Sequence, residues 1–243
     1  MKLKHAAMIT TGLVITTGFA MIIPLFLQPD KINPPQLIML CFEISEGESV
    51  QQRGLAIASI LNRYDVPATV FFTGEVAERY PEVISSFGEK VDIGSQTSSN
   101  SDLTGFTDYS IKLQQIRDGK DAVDGAGSLS SKSFRAPFGA TDQDIYSLLS
   151  RSDILADFSY HDQYNVYERD QFIKYEALTY WAHDHSPDFF LSLSKTTKPI
   201  IIYFDNDHPV PDIEGLILSL LQSDVKLVNA SELTGLPLTT RRS

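Results

Sequence analysis

Three uninterrupted apolar runs constrain this chain most: "QLIMLCFE" from Gln36, "ATVFFTG" from Ala68 and "KPIIIYFDND" from Lys198. None alternates apolar with polar residues, so each reads as a strand covered on both faces. Between them lie segments of helical period. "ESVQQRGLAIASILNRY" sets Val50, Leu55, Ala58 and Leu61 at helical spacing. "EVAERYPEVISSFG" is helical in pattern with an interruption near Pro81. "YSIKLQQIRDGKDAV", "TDQDIYSLLSRS" and "PDIEGLILSLLQS" supply further helices, the second with Thr141 or Asp142 as its expected N-cap. "VDIGS", "KSFRAPFG", "DILADFS" and "VKLVNASEL" each contain a shorter strand. Strands alternating with helices predict βα units on a parallel sheet. Sites in such folds form at the carboxyl ends of the strands. Those ends are 43–47, 73–75, 95–102, 135–139, 159–162 and 205–208.

Charge narrows the partners. With 31 acidic against 20 basic residues the net charge is −11. Nucleic acid is excluded as a partner, because phosphate contact needs clustered Lys and Arg. The single cysteine, Cys41, rules out an intrachain disulfide and a Cys-rich zinc site, and reads as a small buried hydrophobe. At the N-terminus, basic "MKLKH" precedes an uncharged stretch from Ala6 to Leu27. About 20 apolar residues span a bilayer. The expectation is an uncleaved transmembrane helix within 1–27, a cleaved secretory signal being the alternative. Lys2 and Lys4 would stay inside, giving a single-pass protein of the cell membrane with its domain on the extracytoplasmic side. Residues 28–35, with Pro34 and Pro35, read as a stiff linker, and 36–238 as one folded domain.

Over roughly Gln36 to Leu236 the chain resembles the polysaccharide deacetylases of the NodB-homology type, carbohydrate esterase family 4. "NRYDVPATVFFTGEVAERYPEVI" looks like the stretch between that family's first and second motifs. "FRAPFGATDQDI" looks like its third motif, R-x-P-[YF]-G, and "KPIIIYFDND" with "VKLVNASEL" looks like its terminal block. The resemblance implies a distorted (β/α)7 barrel. It also implies a divalent metal that polarises an acetamide carbonyl and activates water.

Residue by residue the motifs differ from that pattern. The family's T-F-D-D motif supplies a base and a metal ligand; here "CFEIS" puts Glu43 at the base position and Ile44 at the ligand position. Its H-[ST]-x-x-x-H motif supplies two histidine ligands; here "SQTSSN" puts Gln96 and Asn100 in their places. Neutral amide oxygens suit Zn²⁺ poorly and isoleucine cannot ligate. Asp205 stands where the family has its terminal histidine, with His208 three residues on. The third motif is intact. Arg135 is implied to brace the acid at position 43, the backbone N–H of Phe138 to serve as oxyanion donor, and Pro137 with Phe138 to wall a sugar ring.

Two functional readings follow. One is an anchored pseudo-deacetylase that binds a cell-envelope or extracellular glycan, or an envelope protein, without hydrolysis. No cofactor is then expected. The other is an active hydrolase of amide C–N bonds in N-acetylated sugars, using Glu43, Arg135, Asp205 and His208 as an altered site; only then would a divalent metal be required. "WAHDHSPDFF", with His183 and His185, reads as a solvated loop. Tyr160, Tyr164 and Tyr167 suit either a glycan groove or packing.

Overall fold

The computed structural model describes residues 35–242 apart from 48, 143, 194 and 195. The expected anchor over 1–27 and most of the linker lie outside the described residues. Among the described residues, no helix is long and apolar enough to cross a membrane.

In chain order the elements are β1 (Gln36–Ile44), α1 (Val50–Arg63), β2 (Ala68–Phe72), α2 (Gly74–Arg79), α3 (Pro81–Ser85), β3 (Val91–Ser95), α4 (Tyr109–Gly127), β4 (Leu129–Ser131), β5 (Ser133–Phe134), α5 (Ile145–Ser150), β6 (Ala156–Asp157), β7 (Gln163–Glu168), β8 (Gln171–Glu176), β9 (Leu178–Trp181), α6 (Pro187–Ser192), β10 (Ile200–Phe204), α7 (Val210–Leu221), β11 (Val225–Val228), α8 (Ala230–Thr234) and β12 (Thr239–Arg241). The break between α2 and α3 falls at Tyr80, ahead of Pro81. Pro81 disfavours helical backbone in the residue before it and has no N–H to give.

β1 is the hub of a nearly closed, barrel-like sheet. One of its edges pairs in parallel with β10, from Ile38↔Ile200 to Phe42↔Phe204. The other edge is divided. Gln36–Met39 pair with β11, whereas Cys41–Ile44 pair with β2. β11 is therefore wedged in where β1 and β2 part, which distorts the barrel at its amino end. From β2 the parallel sheet continues through β3, β5 and β6, and from β10 to β9.

Strand alternation sorts the side chains of β1 into two layers. Ile38, Leu40, Phe42 and Ile44 face the helices, packing in one cluster with Ile57, Leu61, Ile213 and Ile217. Met39 and Cys41 face the barrel interior with Phe71, Phe158, Ile201 and Tyr203. α4 lies close against the loop that follows β3. A Cβ at Gly119 would collide with the backbone of Gln96 and Thr97, and Ser98 N donates to Gln115 O at 2.8 Å. Only glycine permits that approach.

The structure corrects two sequence expectations and adds a hairpin that none of them covered. α5 begins at Ile145 with Asp144 as N-cap; Asp142 instead accepts from Asp144 N at 3.1 Å. The strand expected over "DILADFS" shrinks to Ala156–Asp157, because Asp153 turns the chain with φ 56°. The segment from 163 to 176 forms an antiparallel hairpin on β6, through Arg169 and Asp170, both at positive φ. Two-residue turns of this kind normally announce themselves with Asn-Gly or Asp-Gly, and Arg-Asp does not. Beyond the hairpin, Ala177 N donates to Asp162 O at 3.1 Å and Asp162 N to Thr179 Oγ1 at 3.0 Å, drawing the open side of the sheet together.

Candidate functional site

At the carboxyl ends of the parallel strands a cleft of about 570 Å³ is bordered by Glu43, Ser45 and Glu46 after β1, Asn100 after β3, Phe138 after β5, Trp181 at the end of β9, and Asp205, Asn206 and Asp207 after β10. Arg135 lies behind Glu43, outside the cleft lining, and is only 3% exposed. Its Nε donates to Glu43 Oε1, and its Nη1 donates to Phe158 O at 2.6 Å. The guanidinium carbon sits 3.9 Å from the Tyr203 ring centroid. Burial works against the Arg135 charge, but the Glu43 carboxylate holds the guanidinium above its ordinary range. Arg135 and Glu43 thus meet in a charge-assisted hydrogen bond that fixes the acid's orientation. Burial raises the Cys41 thiol and the Tyr203 hydroxyl, which keeps both neutral.

The turn after β5 presents one aromatic ring to the cleft. Phe138 takes left-handed backbone, φ 59° and ψ 8°, and is 72% exposed. Gly139 follows at φ 65°, where a Cβ would come within 2.8 Å of Ser159 O. Ala136 N donates to Ser159 Oγ at 2.8 Å. Pro137 is buried and does not border the cleft. Of the expected wall, Phe138 alone can touch a ligand there, and Pro137 braces the turn.

The loop after β10 is tied on three sides. Asp205 Oδ1 accepts from Asp207 N at 3.2 Å and His208 N at 3.0 Å. Arg53 of α1 donates to the backbone oxygens of His208 and, at 2.6 Å, of Asp205. Asn206 Nδ2 donates to Ser45 Oγ at 2.6 Å, joining this loop to the one after β1. The remaining carboxylate oxygen of Asp205 lies 3.1 Å from His183 Nδ1. His183 in turn stacks on Trp181, centroids 5.9 Å apart.

His208 does not join this group. It is 7% exposed, packs edge-on to Phe204 at 5.3 Å, and lines a neighbouring cavity of about 520 Å³ with His183 and His185. Burial, opposed by Asp205 and Asp212, lowers its pKa. Sequence reasoning placed His208 near Asp205 and passed over His183 and Trp181. The one usable signal was a lone tryptophan two residues before His183, at a strand end. Nothing in the sequence marks Arg53. Tyr164 is buried and stacks on Phe158 at 5.8 Å, and Tyr160 packs near Tyr146 at 6.2 Å. Neither these two nor Tyr167 borders the cleft.

The three positions matched to metal ligands are dispersed. Ile44 is fully buried in the helix-facing layer, its Cδ1 3.5 Å from where a Gly54 Cβ would stand. Gln96 is fully buried, and neither of its amide atoms has a partner among the described residues. Asn100, at φ 49°, is the one that borders the cleft. Among the described residues there is no group of three His, Cys, Asp or Glu side chains arranged to hold a metal ion. An alkyl chain and two neutral amides are the wrong donors for a catalytic divalent metal, which takes imidazole and carboxylate.

The family model described as polysaccharide deacetylase matches residues 30–155, just over half of the chain. The chain belongs to the polysaccharide deacetylase family. The match ends ahead of β6, so Glu43, Asn100 and Phe138 fall inside it and Trp181, His183 and Asp205 outside. No curated protein matches the chain. Among solved structures, a mutant of BA3943 described as a CE4 family pseudoenzyme with restored enzymatic activity is 14% identical, with a TM-score of 0.61 over 82% of this chain and 67% of that one. Wild-type BA3943 from Bacillus anthracis, described as a CE4 family pseudoenzyme, is 15% identical, with a TM-score of 0.59 over 80% and 64%. The peptidoglycan deacetylase PdaC from Bacillus subtilis is 17% identical, with a TM-score of 0.60 over 83% and 91%. This polysaccharide deacetylase family member therefore shares their fold and spans about two thirds of the BA3943 chains.

Proposed function

We propose that this family member binds a glycan of the cell envelope in the cleft above Glu43 and does not perform metal-dependent deacetylation. The observation that carries the proposal is the donor set. The acid at the base position is held by Arg135, while the ligand positions carry Ile44, Gln96 and Asn100. Phe138, turned outward by strained backbone, offers its face to a sugar ring. The seven parallel strands from β6 through β1 to β9 support a seven-stranded barrel of this family's type, in which β6 leads into a hairpin where a helix would complete the seventh βα unit. The uncharged stretch from Ala6 to Leu27 supports anchorage in the membrane with the domain outside.

A second reading, an active carbohydrate deacetylase with an altered site, has one observation in its favour. His183 beside Asp205 supplies an imidazole at the rim of the same cleft. Acetate release from an N-acetylated oligosaccharide, with and without added Zn²⁺, separates the two. Binding without acetate release is the expected result. Turnover that the Glu43→Gln variant abolishes would refute the pseudoenzyme reading. Protease accessibility in intact cells tests the orientation, and a domain shielded in the cytosol would overturn it.

A further inference from the structure

Resting on that reading of the cleft as a glycan site, we infer that its ligand carries free ammonium groups: a de-N-acetylated hexosamine oligomer rather than an N-acetylated one. Four carboxylates, Glu43, Glu46, Asp205 and Asp207, border one cleft with Phe138 and Trp181. Two guanidiniums adjoin it and both are committed. Arg135 donates to Glu43 and Phe158 O, and Arg53 donates to the backbone oxygens of Asp205 and His208. Four negative charges against two positive leave the cleft anionic, and His183, set against Asp205, has its Nδ1 turned to that same loop.

An acetamide carbonyl presents lone pairs, which carboxylate oxygens repel. An ammonium presents three donors and no acceptor, which suits them. The aromatic faces of Phe138 and Trp181 take the C–H face of a sugar ring and also attract a cation. A free hexosamine is what N-deacetylation yields. The chain would therefore act after such a step, on its product.

Trp181 is the only tryptophan of the chain, so its fluorescence reports on this cleft directly. The full chain in detergent is titrated with a glucosamine tetramer, its N-acetylated counterpart and spermine, at low and high salt. The free amine should bind about 10-fold tighter than the acetylated sugar, a difference of about 1.4 kcal/mol, and the preference should shrink with salt. Glu46→Gln and Asp207→Asn, both at exposed rim positions, should each weaken the free amine roughly 3-fold and the acetylated sugar by less, so that the preference for the amine narrows. Equal or tighter binding of the acetylated tetramer would overturn the inference and leave the glycan site standing. Spermine binding as well as the glucosamine tetramer would overturn it too, since charge without sugar recognition would then suffice. No response to either sugar would remove both the inference and the glycan site beneath it.

Discussion

Arg135→Met, with Glu43→Gln and the double variant, tests whether the buried Arg135–Glu43 pair holds the site together. The Arg135 side chain is 4% exposed and that of Glu43 12%. Removing one member of a buried ion pair leaves an uncompensated charge, at a cost of about 3–5 kcal/mol. Arg135→Met also strips the donor from Phe158 O, a further loss of about 1 kcal/mol or more. Against a typical domain stability of about 5–15 kcal/mol, the single change brings the protein near unfolding at 37 °C. Glu43→Gln keeps an acceptor for Arg135 Nε but leaves the guanidinium short of its charge partner, so it should cost less. In the double variant no charge is stranded, and it should recover a large part of the Arg135→Met loss, a coupling of about 2 kcal/mol or more. Urea unfolding of the four proteins, with the m-value checked for constancy, measures that coupling. If Arg135→Met costs under about 1 kcal/mol, or the double variant is no more stable than Arg135→Met, the pair is not the brace argued above.

Phe138→Gly should raise stability by about 1 kcal/mol, because glycine relieves the φ 59° backbone, while weakening sugar binding; thermal melts beside the Trp181 titration check both halves. Burial, partly offset by hydrogen bonds from Ser159 and by Arg135, raises the Asp157 carboxyl from 3.8 to about 6. The folded state therefore holds this proton more tightly than the unfolded one. Stability from this group is full below about pH 4 and is lost as pH rises to about 6, by up to about 3 kcal/mol. Asp157→Asn should flatten that slope in unfolding measured from pH 4 to 7, and an unchanged slope would refute the assignment. Ile44→Asp should destabilise by about 3 kcal/mol or more, since it buries a carboxylate among helix-facing apolar side chains. Near-neutral stability together with tight Zn²⁺ binding in the triple variant with Gln96→His and Asn100→His would show that position 44 can turn into the cleft.

The sequence by itself determined the parallel α/β architecture, the strand ends that carry the site, and the residue types at them. Continuous apolar strands and periodic helices are local patterns, and a strand end follows from where its apolar run stops. The retained "FRAPFG" implied, through its resemblance to the family's third motif, that Arg135 meets Glu43, and the two do form a hydrogen bond. Only the tertiary structure decided which face each neighbour takes. Glu43 turns inward and Ile44 outward, since successive strand residues alternate and β1 is covered on both sides. It also decided that the imidazole facing the Asp205 carboxylate is that of His183, while His208 meets it only through its backbone N–H. The His183 contact joins β9 to β10, whose register across a sheet is fixed by pairing and twist rather than by any spacing along the chain. Arg53 reaches the site from the helix layer, and the hairpin after β6 turns on Arg-Asp, a dipeptide with no turn signature. Both depend on long-range packing, which one strand of sequence does not display.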